Sequence, residues 1–408
     1  MDRRSAALAA LVLLAGCSPA PSPTATTSPG GVATSGVTTA PGTTTPGANG
    51  TATTPLPSGT VRDGQPFAIR EVATLDQPWA MTFLPSGQAL ITLRPGAMLL
   101  LDPATGRSQE VGGVPEVDAT GQGGLHDVIL GPTYADDGTV YLSWVESADG
   151  LSHGVVGRGT LLLDGDGSPR LKDLRPIWQQ DPTAGSGHFS LRLALSPDED
   201  NLFVTSGDRQ KMTPAQHLQT NLGKILRLTL DGEHVPDNPF VDEHNTAAQI
   251  WSYGHRNPLG IAFDEAGNLW STEMGPKGGD ELNLIEPGAN YGWPNASEGE
   301  HYDGREIAKH ATIMGVDAPA VSWVPSISPA NLMIYTETSF GQWTGDAFIG
   351  GLSGKTLVRV DLDGKTARKA DQWDMGARIR EVEQGPDGSI WLLTDGPDGR
   401  LLQLTPAP

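Results

Sequence analysis

Apolar residues recur along this chain in short runs broken by Pro, Asp and Gly. The first reads Met81-Thr-Phe-Leu-Pro-Ser-Gly-Gln-Ala-Leu-Ile-Thr92: an apolar start, a turn, then a strand-like arm. The same order returns from Val128 to Trp144 around Asp136-Asp137-Gly138, from Leu193 to Ser206, from Ile261 to Thr272 and from Val382 to Thr394. A looser copy runs from Asp346 to Gly364. β-rich arms joined by Gly/Asp turns predict hairpins. Helical periodicity is scarce, and its best short stretch is Ala215 to Asn221. The copies recur at roughly fifty to sixty residues, which leaves room for two more strands after each hairpin. Six copies predict an all-β protein, a six-bladed β-propeller of four-stranded blades around a central channel. A β-sandwich with Asp-Gly turns is the competing arrangement, and the length between copies favours the propeller.

Composition supports many tight turns: the chain holds 52 Gly and 33 Pro, and only 18% of residues are charged. The net charge of −21 argues against nucleic acid and anionic membrane surfaces as partners. The front of the chain has a different character. Met1 to Cys17 reads as a secretory signal, with Arg3 and Arg4 before an apolar run from Ala6 to Ala15. That run is too short to span a bilayer. Leu14-Ala15-Gly16-Cys17 resembles a bacterial lipoprotein cleavage box, which implies cleavage before Cys17 and lipid on that residue. A plain signal peptide with an incidental cysteine is the alternative. Either way the domain is expected outside the cytoplasm, and the lipobox would anchor it to the cell membrane.

Residues 18–61 are almost all Pro, Thr, Ser, Gly and Ala, which predicts a disordered tether. Residues 62–408 remain for the propeller, about 345 residues, enough for one large domain. Cys17 is the only cysteine, so no intrachain disulfide can form.

Candidate chemistry concentrates between Ile250 and Pro294. Three clusters lie there: Gly254-His-Arg-Asn-Pro258, Gly275-Pro-Lys-Gly-Gly-Asp-Glu281 and Asn290-Tyr-Gly-Trp-Pro294. A glycine-rich loop beside Asp280 and Glu281 can offer carbonyl and carboxylate oxygens, the ligands of a hard cation such as calcium. Other loops carry Gly121-Gln-Gly-Gly124, Gly187-His-Phe189 and Gly207-Asp-Arg209. In Arg378-Ile379-Arg380 the alternation puts both guanidinium groups on one side of a strand, which suits a ligand with several carboxylates. His188 is the best candidate base. His126, His217 and His255 are equally eligible by residue type. No HExxH, cysteine pair, nucleophile elbow or phosphate loop is present.

Taken together these motifs resemble the soluble pyrroloquinoline quinone (PQQ) dependent sugar dehydrogenases, the glucose/sorbosone dehydrogenase family, and most of all its bacterial aldose sugar dehydrogenase branch. The likeness covers about residues 70 to 405. It includes Leu75-Asp-Gln-Pro-Trp-Ala-Met81, Leu222-Gly-Lys-Ile-Leu-Arg227, Asp237-Asn-Pro-Phe240 and Gly278-Gly-Asp-Glu-Leu-Asn283 as well as the loops above. It implies a quinoprotein oxidoreductase that converts aldose mono- or oligosaccharides to lactones and passes electrons to an external acceptor.

By this resemblance His188 would be the general base and PQQ C5 the hydride acceptor. Arg256 and Asn257 would contact the quinone oxygens, and Arg378 and Arg380 its carboxylates. Gln122 would lie at both cofactor and sugar, and Arg209 at the sugar. The carbonyls of Gly275 and Pro276 would hold one calcium. Glu281 and the main chain of Tyr291 would hold a second, structural one.

The chain departs from the family pattern at several points. Met274 stands where His or Gln is usual. Ser190-Leu191 replace glycines and are expected to crowd the pocket. Ser353 replaces a lysine, for which Lys355, two residues on and on the same side, is expected to substitute. Glu381 replaces an aspartate, and Ala330-Asn331-Leu332 replaces a Ser-Gly-Met-like stretch. Two other readings remain: a non-catalytic sugar- or protein-binding propeller of the same family, and a calcium-dependent lactonase. The Arg378/Arg380 pair with His188 favours the dehydrogenase.

Overall fold

The computed structural model describes residues 59–408 apart from residue 63 and residues 164–167. The expected signal, Cys17 and nearly all of the expected tether lie outside the described residues. Six antiparallel sheets make up the fold, five of four strands and one of five. Blade one runs from Pro78–Phe83 through Ala89–Leu93 and Ala97–Asp102 to Arg107–Glu110. Blades two to five open with Leu125–Leu130, Ser190–Leu195, Pro258–Phe263 and Met333–Ile334. Blade six takes Ile379–Gln384, Ile390–Thr394 and Gly399–Pro406 from the end of the chain. Its outer strand, Phe67–Leu75, comes from the front and pairs with Gly399–Pro406. The first strand of each blade packs on the first strands of its neighbours, so these six surround the axis. The arrangement is a six-bladed β-propeller, as the hairpin copies predict.

Stacked blades explain the hydrophobic pattern. A second strand is covered on both faces, so Ala89–Leu93 and Ile390–Thr394 are buried at every position. The outermost strand of blade one, Arg107–Glu110, is exposed at every position. Leu90, Leu142 and Trp144 fill the space between blades one and two. Tyr141, Phe189 and Leu202 do the same between blades two and three. Each such side chain contributes about 1.5–3 kcal/mol by leaving water.

Three expectations need correction. Thr60–Val61 forms a short strand on Phe67–Leu75, so the fold begins inside the stretch expected to be tether. The copy from Asp346 to Gly364 is one strand out of phase: its arms are the second and third strands of blade five, Ala347–Gly351 and Thr356–Asp363. The inner strand there is only Met333–Ile334, too short to leave its own apolar signature. The stretch expected as a helix from Ala215 holds only the end of a 3₁₀ turn, Thr213–Gln216.

Candidate active site

Segments entering the inner strands and segments leaving the second strands meet at one end of the axis. They enclose a cavity of about 410 Å³, a size suited to a small-molecule ligand. Gln122, Asn257 and Arg378 reach it from the entering segments, and Arg94, Met274 and Asp395 from the leaving ones. Trp79 and His126 also line it, stacked at 4.3 Å and 8°. His126 Nε2 lies 3.0 Å from the Gln122 carbonyl oxygen. That contact makes it a donor, and burial holds the ring neutral with its pKa down to about 3. His126 is therefore unsuited to take a proton at that nitrogen.

His188 has the opposite arrangement. Its Nδ1 lies 2.7 Å from Asp208 Oδ1. The carboxylate fixes Nδ1 as the protonated nitrogen and leaves the Nε2 lone pair free. Asp208 also accepts bonds from Trp293 Nε1 at 2.7 Å and from the backbone of Gln210 and Met212. Burial pushes the Asp208 carboxyl up, but the bonds from His188 and Trp293 outweigh it and leave it below the usual range. Burial lowers the pKa of His188, helped by the nearby Arg256 charge, against the pull of Asp208. The His188 N–H donates to Gln122 Oε1 at 2.7 Å, which ties the base to the cavity wall. His217 is exposed, and His255 is buried against Ser252 and Tyr291.

The two arginines do face the same side. Arg378 Nε and Arg380 Nη2 each donate to Asp395 at 2.8 Å, on different carboxylate oxygens. The Asp395 carboxyl is pushed up by burial but held below its ordinary value by both guanidinium groups. One carboxylate against two cations leaves a net positive edge on the cavity. Asn257 lines the cavity, and its Oδ1 accepts from Ser190 Oγ at 3.0 Å. Arg256 donates from Nη1 to the Met274 carbonyl at 2.9 Å and from Nη2 to the Tyr302 hydroxyl at 3.3 Å. Its Nε is buried without a partner.

Gly275, Pro276, Glu281 and Tyr291 all line a separate cavity of about 10 Å³. Glu281 pairs across the sheet with Glu273, which lines the same space. Burial, then the Glu273 charge, pushes the Glu281 carboxyl well above its ordinary range. Two buried like charges face to face fit a cation between or beside them. His310 Nε2 lies 3.2 Å from the Tyr291 carbonyl oxygen and 3.6 Å from Glu281 Oε1. Among the described residues no three His, Cys, Asp or Glu side chains meet on one metal-sized point, so a full shell needs carbonyls. The Gly275 loop is built tightly: a Cβ there would fall 2.2 Å from the Gly279 carbonyl oxygen. Asp280, expected to offer an oxygen, instead braces this loop by accepting from the backbone of Gly275, Ile327 and Ser328.

The family model for glucose/sorbosone dehydrogenase matches residues 75–403. The chain belongs to this family. It is 39% identical over 340 residues to the aldose sugar dehydrogenase YliI of Escherichia coli, covering 81% of this chain and 91% of that protein. It is 30% identical over 317 residues to quinoprotein glucose dehydrogenase B of Acinetobacter calcoaceticus, covering 71% and 64%. The apo-form crystal structure of the Escherichia coli soluble aldose sugar dehydrogenase superposes with a TM-score of 0.79 at 38% identity, over 84% of this chain and all of that one. The PQQ-bound aldose sugar dehydrogenase of Streptomyces coelicolor gives 0.70 at 31% identity, over 83% and 98%.

Against the family pattern, several side chains sit elsewhere than expected. Arg209 is only 1% exposed and does not line the cavity. Its guanidinium donates to the carbonyls of Ser152, Gly185 and Gly187 and covers the Phe189 ring at 3.7 Å. It shapes the His188 loop and has no donor group turned to a sugar. Lys355 is exposed and outside the lining, where Leu352 stands. Ser353 bonds to Ser328 at 2.8 Å.

Leu191 does not crowd the cavity. It is fully buried and packs where a Cβ on Gly154 would lie, between blades two and three. Ser190 does line the cavity. His188, Ser190 and Leu191 have φ of +51°, +62° and +70°, a region that favours the glycines usual here. Asp208, Asp395 and Trp79 belong to the site, and the sequence alone gives none of them a role. Asp208 could have been given one, because it adjoins Arg209 in a loop already marked by its glycine.

Proposed function

We propose that this protein oxidises the anomeric carbon of aldose sugars to lactones, with PQQ as cofactor, calcium as its metal and His188 as general base. The observation that carries this reading is the His188–Asp208 pair, held by Gln122 and flanked by Phe189 and Ser190, which line a cavity with two arginines on its wall. His188 Nε2 takes the proton of the anomeric hydroxyl, and Asp208 stabilises the imidazolium that results. The chemistry supplied by PQQ when bound is acceptance of the anomeric hydride, and that supplied by calcium on the Gly275 and Pro276 carbonyls is Lewis-acid polarisation.

Arg378 and Arg380 hold carboxylates of the cofactor, and Arg256 and Asn257 orient its quinone edge. Gln122, exposed at the mouth, orients the sugar. Glu281 and the Tyr291 carbonyl hold a second, structural calcium. Electrons leave to an external acceptor, and Cys17 carries the lipid that keeps the enzyme at the cell membrane. Mass spectrometry of the mature amino terminus tests that anchor.

The function is tested by dye reduction with a panel of aldoses, using the full chain with and without PQQ and calcium. Reduction that needs sugar, PQQ and calcium together is the expected result. His188→Ala should lower the rate roughly 10²–10⁴-fold while PQQ still binds. Sugar-independent or PQQ-independent behaviour would overturn the assignment, and an unchanged rate in the variant would remove His188 from its role.

A further inference from the structure

A second cavity, of about 110 Å³, lies on the propeller axis. All six blades reach it: Thr82, Asp127, Arg192, Gly260, Asn331 and Glu381 each come from a different one. Glu383 joins them, two residues beyond Glu381 and on the same face of its strand. Arg192 stands between the two cavities, with its guanidinium 4.1 Å from the Trp79 ring.

The lining holds three carboxyl groups and one guanidinium. Asp127 is fully engaged, by Arg192 at 3.3 Å and by the backbone of Val128 and Leu193. Glu381 Oε2 lies 2.7 Å from Arg192 Nη2. The rest of that guanidinium is shared with the carbonyls of Leu259 and Ala330. The Glu383 carboxyl makes no hydrogen bond or ion pair to any described residue. With every group ionised, one positive charge against three negative ones leaves an excess of two, and burial disfavours that state, pushing Glu381 up to about 8 and Glu383 well above its ordinary range.

Asn331 gives a second, independent sign. It is 3% exposed, and its Nδ2 donates to the Val382 carbonyl at 2.8 Å. That peptide lies between the two glutamates. Exchanging the amide nitrogen and oxygen would set oxygen against oxygen, so the orientation is fixed. Asn331 Oδ1 is then a buried acceptor with no donor. Such a group is costly unless something completes it.

We propose that Glu383, Glu381 and Asn331 Oδ1 bind a divalent cation of the calcium class on the axis, with water completing its shell. A divalent ion cancels the excess charge. The donors are all oxygen, which selects a hard cation. The cavity has room for the ion and about two or three waters. Two carboxylates and an amide suffice, in keeping with the lack of any three-membered acidic or histidine cluster among the described residues. The site is separate from the Gly275–Glu281 region, which sits on blade four. It would join blades five and six at the axis, where blade five supplies a two-residue inner strand.

The test uses the full chain without PQQ, stripped by a chelator and reloaded with calcium. Bound calcium is counted by atomic emission, and melting is followed with and without the metal. Glu383→Gln should hold one calcium fewer per chain than the wild type and gain less melting temperature from calcium. A wild-type count and gain in this variant would overturn the proposal, and would assign the space to a proton shared by the glutamates and Asn331. Wild-type crystals soaked in manganese give a second measurement that does not depend on the variant folding. An anomalous peak between Glu383 and Asn331 supports the site, and no peak there overturns it.

Discussion

At the scale of single residues, the activity proposed for His188 depends on a carboxylate that never meets the substrate. Asp208 fixes which imidazole nitrogen is free. Asp208→Asn should lower the rate roughly 10²–10⁴-fold and leave PQQ titration unchanged. Burial lowers the His188 pKa below the usual 6.5. A base with a lowered pKa stays neutral as pH falls past the ordinary histidine value. The acid limb of the pH–rate profile should therefore lie below about 6.5, and a limb above it would contradict the assignment.

The arginine pair divides unequally. The Arg378 side chain is 45% exposed and that of Arg380 13%. Water screens the first and much less the second. Arg380→Ala should weaken PQQ binding by at least tenfold and Arg378→Ala by less, read by absorbance titration. The side-chain alternation of Arg378-Ile379-Arg380 was legible in the sequence because a strand has only two faces. Arg209 was not, because a loop side chain can turn to the ligand or back into the protein. The same holds for its neighbour Asp208, whose carboxylate turns to His188.

At the scale of elements, the hairpins were legible where a Gly/Asp turn joins two apolar arms. Five copies fall on the first and second strands of their blades. The copy in blade five slipped by one strand because the residues before it form only a two-residue strand. The closing strand Phe67–Leu75 had no such signature, since its partner lies at the other end of the chain. It nevertheless places Phe67 in the core between blades five and six, together with Leu357, Ile379 and Leu404. A chain that starts at residue 59 should melt like the full protein. One that starts at residue 77 loses that strand and exposes Gly399–Pro406 as an edge. It should lose its cooperative melting transition, and an unchanged transition would show that closure contributes little.

At the scale of the whole molecule, charge is the dominant tension. The net charge is −21, and carboxylates are buried in pairs at Glu273/Glu281 and on the axis. Cations that bind the folded state alone stabilise it by mass action. Chelation should therefore lower the melting temperature, by several degrees for each lost site of a few kcal/mol. Glu281→Gln should make melting less sensitive to the chelator without abolishing the effect. A melting curve indifferent to chelator in the wild type would remove structural calcium from the account. None of this balance was readable from sequence, which shows how many carboxylates there are but not which ones lose water.

The way blade six is closed also orders events in time. Phe67–Leu75 is made before blades one to five, and its partner Gly399–Pro406 after them, more than three hundred residues later. Until the final strand emerges, the opening strand has no native neighbour to zip against on that side. Such distant pairing makes folding slow. A nascent chain would carry an open ring with a sticky margin. Only the arrival of Gly399–Pro406 removes it, so these eight residues act as the clasp of the ring.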